Sequence, residues 1–373
     1  MKIYHAISAD SHVNEPPDMF TRFFPEALRD RAPRLIELDN GGQAWSLEGL
    51  KSPIPFASTA VNYRAQKRFD RANYKKKFEE YRDGMQRGVR YEDILPGSWD
   101  PKARLIEQDE DSVDAEVMYN SPQIWAGVKG MSDPKLQLAC FRAYNDWMAE
   151  FCSHDPSRLI GVGLIPVTGI EDAISELHRC VEELKLPTVA LESFPSGDFR
   201  QISSEDDRFW QAAVDLDIPV SVHLSIKMPP DVGVAFFRGK GTEVRKVIAE
   251  GHFARVLEKM ILTGVFDRFP SLQFVGAEVN GGWVPHYLET FDRTFKARGR
   301  DAGCNLRLLP SEYFARNVYI TFIIDPLAVD NRYAIGVDRM MWNSDFPHSV
   351  SNWPIDVELA EVQLFGSNVP DDE

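Results

Sequence analysis

The sequence predicts an α/β fold: a single (β/α)8 TIM barrel with a long insertion after its first strand. Three observations lead there. The chain has 373 residues, enough for one large α/β barrel, since such barrels often pass about 250 residues as one unit. Hydrophobic residues make up 43% and charged residues 27%, the balance of a globular chain with a sizeable core, which sets aside disordered, collagen-like and membrane-spanning classes. Short β-branched runs alternate with helical patterns about eight times, and strand, helix, strand in repetition is the pattern of a closed parallel sheet.

The strand candidates in order are 4–9 (YHAISA), 115–119 (AEVMY), 159–164 (LIGVGL), 188–191 (TVAL), 219–224 (PVSVHL), 273–277 (QFVGA), 317–322 (NVYITF) and 339–343 (RMMWN). Several are apolar throughout, as parallel strands covered on both faces must be. Helical periodicity fills the gaps at 135–151, 170–184, 205–216, 253–264 and 283–295. Residues 16–104 form the insertion, a lid or contact region within one domain spanning 1–373, and its run RAQKRFDRANYKKKFEEYR reads as a solvated helix face.

Acidic side chains outnumber basic ones 57 to 42, giving a formal charge of −15. A surface of that sign opposes nucleic acid and anionic membrane, and leaves small-molecule chemistry. Cys140, Cys152, Cys180 and Cys304 lie far apart without paired spacing, so neither a disulfide framework nor a thiolate zinc cluster is expected. The opening MKIYHAISAD turns polar too soon for a signal sequence, no apolar run approaches a membrane span, and the chain reads as cytoplasmic.

Side chains able to hold a metal fall at the strand ends. Asp10 and His12 follow the first strand as D-S-H, Glu192 follows the fourth, His223 sits in the fifth, Glu278 ends the sixth, and Asp345 follows the eighth. A barrel gathers its strand C-termini around one axis, so these six would meet at one pocket mouth. Side chains two apart on an extended segment point the same way, so Asp10 and His12 can reach one ion.

The stretches A-D-S-H-V-N-E-P-P-D at 9–18, R-D-R-A-P-R at 29–34, A-Y-N-D-W at 143–147, P-V-S-V-H at 219–223, G-V-F-D-R-F-P-S-L at 264–272, E-V-N-G-G-W-V-P at 278–285 and W-N-S-D-F-P-H at 342–348 carry a family signal. With them the chain resembles the amidohydrolase superfamily, in the amidohydrolase-related branch that includes aminocarboxymuconate-semialdehyde decarboxylase and the resorcylate decarboxylases. The resemblance implies a (β/α)8 barrel with a divalent metal at its C-terminal mouth. It sets Asp10 and His12 at the first-strand ligand pair, His223 at the fifth-strand His and Asp345 at the eighth-strand Asp. Asp10 and Glu278 stand where many members carry His, and Glu192 lies near the fourth-strand position that bridges two metals in binuclear members. The resemblance also implies homodimers, and a further helix after the closing Q-L-F-G-S-N-V-P-D-D-E.

Four carboxylates would bring a charge of about −4 to the mouth, which two divalent ions cancel and one does not, so a two-metal site is expected. Oxygen-rich ligation suits Zn, Fe or Mn. Glu192 reads alternatively as a strand-end partner of an Arg or Lys, and Glu278 as a group that holds substrate. His348, three residues past Asp345, and His252 are candidate catalytic groups, His348 as one that holds a ligand or meets substrate and His252 as one that reaches the pocket. His5 reads as core, and His154, His178 and His286 as surface or packing. Tyr119, Trp283, Trp342 and Phe346 read as pocket wall or as packing.

The expected chemistry is hydrolysis: a metal lowers the pKa of bound water toward about 7, Asp345 takes the proton, and hydroxide attacks the acyl carbon of an amide, ester, lactone or thioester. The alternative is non-oxidative decarboxylation of an aromatic or enoic acid on one metal. A barrel without catalysis that only binds is the third reading.

Overall fold

Thr188–Leu191 and Phe274–Ala277 are buried along their whole length, the environment of a parallel strand covered on both faces. Such runs set the frame of the computed structural model, which describes residues 4–55, 88–226, 250–299, 301–348 and 350–370. The strands are β1 (Ile7–His12), β2 (Arg34–Glu37), β3 (Gln43–Ser46), β4 (Ile54–Pro55), β5 (Ala115–Tyr119), β6 (Leu159–Ile165), β7 (Thr188–Leu191), β8 (Val220–His223), β9 (Phe274–Ala277), β10 (Val318–Phe322) and β11 (Met340–Trp342). Eight of them form one sheet in unbroken sequence order, β1-β5-β6-β7-β8-β9-β10-β11, the strand order of a (β/α)8 barrel.

The chain divides into two units. The first takes in the described residues up to Gly163 and Ser344–Glu358. In it β1 and β5 pair in parallel, as do β5 and β6. Helix Pro101–Glu110 starts with a proline in its first turn and Asp100 accepting from the Ala103 amide. Helix Pro134–Cys152 starts the same way, with Asp133 accepting from the amides of Lys135 and Leu136. A carboxylate cap ahead of a proline satisfies exposed amides and presets the first turn. The insertion folds in part into a separate antiparallel sheet, β2-β3-β4; its charged run at 64–82 lies outside the described residues.

The second unit takes in the described residues of Leu164–Met228, Gly239–Asn343 and Leu359–Glu373. Here β7 to β11 run parallel, each reached by a helical crossover: Asp207–Asp215 before β8, Glu250–Leu262 before β9, Val284–Arg298 and Pro310–Asn317 before β10, and Pro326–Asp330 with Arg332–Ile335 before β11. The crossover before β7 is α-helical over Ile170–His178 and continues as a π turn over Arg179–Glu183. Gly276 in β9 lets the sheet approach Phe253, whose ring would lie 2.6 Å from an added Cβ.

The first strand corrects the expectation of 4–9. It begins at Ile7 and runs through His12, so Asp10 and His12 lie inside the strand and do not follow it. Polar side chains read as the loop in sequence, but Ser11 and His12 pair with Met118 and Tyr119 in the ladder, past an irregularity between Ser8 and Ser11. Among the described residues, no helix is long and apolar enough to cross a membrane.

Candidate metal centre

The end of β1 is polar and closed to solvent: Ser8, Asp10, Ser11 and His12 are at most 1% exposed. Burying such a row is costly unless each group is bonded, and the segment after β11, in the same unit, supplies partners. The Ser344 amide donates to Ser8 Oγ at 2.9 Å. The Asp345 amide donates to the Asp10 carbonyl at 3.1 Å, and the His12 amide to the Phe346 carbonyl at 2.6 Å. Ladder irregularities re-aim side chains, and this one precedes His12.

His12 Nδ1 lies 2.8 Å from the Asn120 carbonyl oxygen. A carbonyl oxygen only accepts, so Nδ1 carries the proton and Nε2 is the ligand end. Nε2 stands 3.1 Å from Asp345 Oδ1 and 3.6 Å from Asp10 Oδ1. A nitrogen lone pair facing two carboxylates is repelled unless a proton or a cation lies among them. Asp10, His12 and Asp345 each offer a ligand atom within 4.8 Å of the others, and two carboxylates with one imidazole are the donor set that holds a divalent cation. The residues present therefore fit a metal.

His348 brings Nδ1 to 2.9 Å from Asp345 Oδ1, and its ring stacks on that of His12 at 3.8 Å. The two carboxyls respond oppositely to this setting. Burial pushes the Asp10 carboxyl well above its ordinary range, the charge of Asp345 adds to that, and His12 opposes it. Burial pushes Asp345 up as well, but His348 and His12 together outweigh it and hold Asp345 below the usual carboxylate range.

In the second unit His223 ends β8, and its Nε2 stands 3.5 Å from Glu278 Oε2, which follows β9. The Glu278 amide donates to Thr321 Oγ1 at 2.7 Å. Leu224, Glu278 and Asp345 take φ of +56°, +54° and +55°, a left-handed conformation that side chains adopt at a cost of about 1–3 kcal/mol and that clusters at functional sites. Glu192 follows β7 and is half-buried; among the described residues, no grouping within ligand reach includes it. His252 falls in helix Glu250–Leu262, and its side chain lies outside the described residues.

Other expectations resolve on burial. Tyr119 and Phe346 are 2% exposed and serve packing. Trp342 is half-buried, and Trp283 borders a surface hollow with Ile324, Asp325 and Leu327. His5, read as core, is exposed, as are His154 and His286, while His178 is half-buried.

Three residues that sequence reasoning missed support the first unit's cluster. Asn120 fixes the His12 ring. Glu15 accepts from the Ser121 amide, the Ser121 hydroxyl and Trp125 Nε1. Arg104, fully buried, donates to the His12 carbonyl at 2.9 Å and lies over the Phe346 ring. The signal that could have found Glu15 is its place in the D-S-H-V-N-E stretch; Arg104 and Asn120 carry none.

A family model described as Amidohydrolase matches residues 79–373. The 2-amino-3-carboxymuconate-6-semialdehyde decarboxylase of Dictyostelium discoideum is 27% identical over 290 residues, covering 75% of this chain and 74% of its own. A gamma-resorcylate decarboxylase of Polaromonas sp. is 24% identical over 278 residues, 70% of this chain and 82% of its own. The crystal structure of 5-carboxyvanillate decarboxylase from Novosphingobium aromaticivorans, complexed with manganese and 4-hydroxy-3-methoxy-5-nitrobenzoic acid, aligns with a TM-score of 0.62 at 19% identity, over 96% of this chain and 90% of that one. That likeness is one of fold.

These relatives are decarboxylases, which overturns the expectation of a hydrolase. The physical reason for the error is that an Asp/His-held cation polarises any oxygen brought to it, whether of water or of a substrate, so the donor set alone does not choose the reaction. Eight parallel strands in sequence order and a match running from residue 79 to residue 373 lead to one conclusion: the chain is a (β/α)8 barrel and belongs to the amidohydrolase family.

Proposed function

We propose that this chain is a divalent-metal-dependent decarboxylase that releases the carboxylate of a small aromatic or enoic acid as CO2. The observation that carries the reading is the His12 ring, held by Asn120 with its ligand nitrogen turned toward Asp345 and Asp10. The names of the relatives supply the reaction class.

In this reading Asp10, His12 and Asp345 would hold a single ion, because two carboxylates balance one divalent charge. Zn, Fe and Mn all suit the donors; manganese has the support of the 5-carboxyvanillate decarboxylase complex. Held by these residues, a divalent ion would supply positive charge for the substrate's oxygen atoms. The reaction itself needs one proton at the carbon that bears the carboxylate. As that carbon is protonated, the electrons of its bond to the carboxylate stay with the organic fragment and CO2 departs.

Asp345 and His348 are the pair that handles the proton, with His348 Nδ1 2.9 Å from the Asp345 carboxylate. Glu278, beside His223 and 23% exposed, is an acidic group open to a substrate. The test is manganese-loaded protein incubated with 2,6-dihydroxybenzoate and with 5-carboxyvanillate, scored by CO2 release. Release that falls about 10²–10⁴-fold in His348→Asn, with manganese retained, is the expected result. No CO2 from either acid, or full release in the variant, contradicts the reading.

A further inference from the structure

Glu15 closes the D-S-H-V-N-E stretch three residues beyond His12, and the proposed reaction gives it no step. It is a carboxylate only 1% exposed, and an unsupported buried carboxylate is strongly disfavoured. Its support is specific. Oε1 accepts from the Ser121 amide at 3.1 Å and from Trp125 Nε1 at 2.7 Å, and Oε2 from the Ser121 hydroxyl.

The Ser121 amide and the Asn120 carbonyl belong to one peptide group. The carbonyl end of that group accepts from His12 Nδ1 at 2.8 Å, and its amide end donates to Glu15 at 3.1 Å. A metal-bound imidazole commonly donates its second ring N–H in a hydrogen bond to a carboxylate or a backbone carbonyl, which fixes the tautomer and raises the basicity of the ligand nitrogen. Here a planar peptide stands between the two, and hydrogen bonds in series polarise one another.

We propose that Glu15 is a positioning residue that sets the orientation and basicity of His12 through the Asn120–Ser121 peptide group. The proposal rests on His12 as a metal ligand. Glu15 pulls on the amide hydrogen, the Asn120 oxygen gains negative character, and the Nδ1 proton is held more tightly, leaving Nε2 the stronger donor. If Glu15 only filled space, removing its charge while keeping its shape would leave the His12 hydrogen bond unaltered.

The experiment uses the full chain with ¹⁵N-labelled histidine, as wild type, Glu15→Gln and Glu15→Ala. The His12 Nδ1–H resonance is read by NMR, and Mn²⁺ affinity by the EPR signal of unbound Mn²⁺. Removing an outer-shell partner weakens metal binding by about 10–100-fold. Glu15→Gln, which keeps the shape, is expected at the lower end of that range, with its Nδ1–H resonance shifted upfield as the bond weakens. Glu15→Ala is expected at the upper end, with the Nδ1–H tautomer partly lost.

Unchanged affinity and an unmoved Nδ1–H resonance in Glu15→Gln overturn the proposal, even if Glu15→Ala fails to fold. A wild type that takes up no Mn²⁺ defeats the metal reading, and the Nδ1–H resonance of Glu15→Gln still decides whether Glu15 acts on His12.

Discussion

Arg104→Leu is expected to cost about 3–5 kcal/mol of stability, the size of effect seen when one partner of a buried ion pair is removed. Arg104 is fully buried, and its Nε donates to Glu116 Oε2 at 2.5 Å, with Glu116 itself 2% exposed. Leucine strands that carboxylate with Gln108 Nε2, at 2.7 Å, still beside it. The guanidinium also bonds the carbonyls of His12 at 2.9 Å and Gly97 at 3.3 Å, and lies 4.5 Å from the centre of the Phe346 ring. Replacing both charges by apolar groups is often close to neutral, so Arg104→Leu with Glu116→Leu should regain most of the loss. It should not regain all, because two buried carbonyls lose a donor at about 1–3 kcal/mol. Urea unfolding at pH 7, read as midpoint shifts at constant slope, measures both. A single variant within about 1 kcal/mol of wild type, or a double variant as unstable as the single, would refute the reasoning.

Asp111 sets a pH dependence. Burial pushes its carboxyl up to about 9, with the charge of Asp356 adding to the effect. The folded chain then holds a proton that the unfolded chain releases near pH 4, so stability falls as pH rises from about 4 to about 9, by up to about 1.4 kcal/mol per unit. Asp111→Asn keeps an acceptor for the Asp356 amide, at 2.7 Å in the native chain, and should flatten that slope in unfolding curves taken across the window; an unchanged slope counts against the assignment. Gly276→Ala puts a methyl 2.6 Å from the Phe253 ring and should cost about 1–3 kcal/mol by overpacking, measured by urea unfolding, with Phe253→Leu restoring part of it. Glu192→Gln should leave elemental analysis at one metal per chain, and a lower count would make Glu192 a ligand.

The barrel was legible wherever burial on both faces forces an uninterrupted apolar run. The expected 188–191 matches β7 residue for residue and 159–164 falls one residue short of β6; 115–119 matches β5 in spite of the buried Glu116 within it. The first strand slipped because its final residues are the chemical ones. Aspartate and histidine read as loop, yet here they sit in the ladder and are buried by the segment from Ser344. The antiparallel sheet of the insertion was missed since Arg34–Glu37 is mostly exposed and shows no core face. Helices Pro310–Asn317 and Asp356–Gly366 were also unread.

At the candidate site, the sequence suggested Asp10, His12 and Asp345 by type and strand-end position and His348 by its place three residues past Asp345, and the structure brings these four side chains together. What holds them was not. Glu15 meets Ser121 and Trp125 across 106 and 110 residues, and Arg104 meets the His12 carbonyl across 92. Contacts of that separation leave no local pattern, and a buried arginine looks in sequence like any surface one. The reaction class was misread for a separate reason: ligand chemistry identifies a cation site, and the fate of the substrate depends on what is brought to it.

The most direct measurement of the central claim is metal and carbon counted together. Protein loaded with Mn²⁺ and freed of excess is given 2,6-dihydroxybenzoate and 5-carboxyvanillate, each labelled with ¹³C in the carboxylate, while bound manganese is quantified in wild type and in His12→Ala. The expected result is one Mn²⁺ per wild-type chain, ¹³CO2 from at least one acid, and loss of both in His12→Ala. Manganese bound equally in His12→Ala, or one Mn²⁺ per wild-type chain with no label released from either acid, would contradict it.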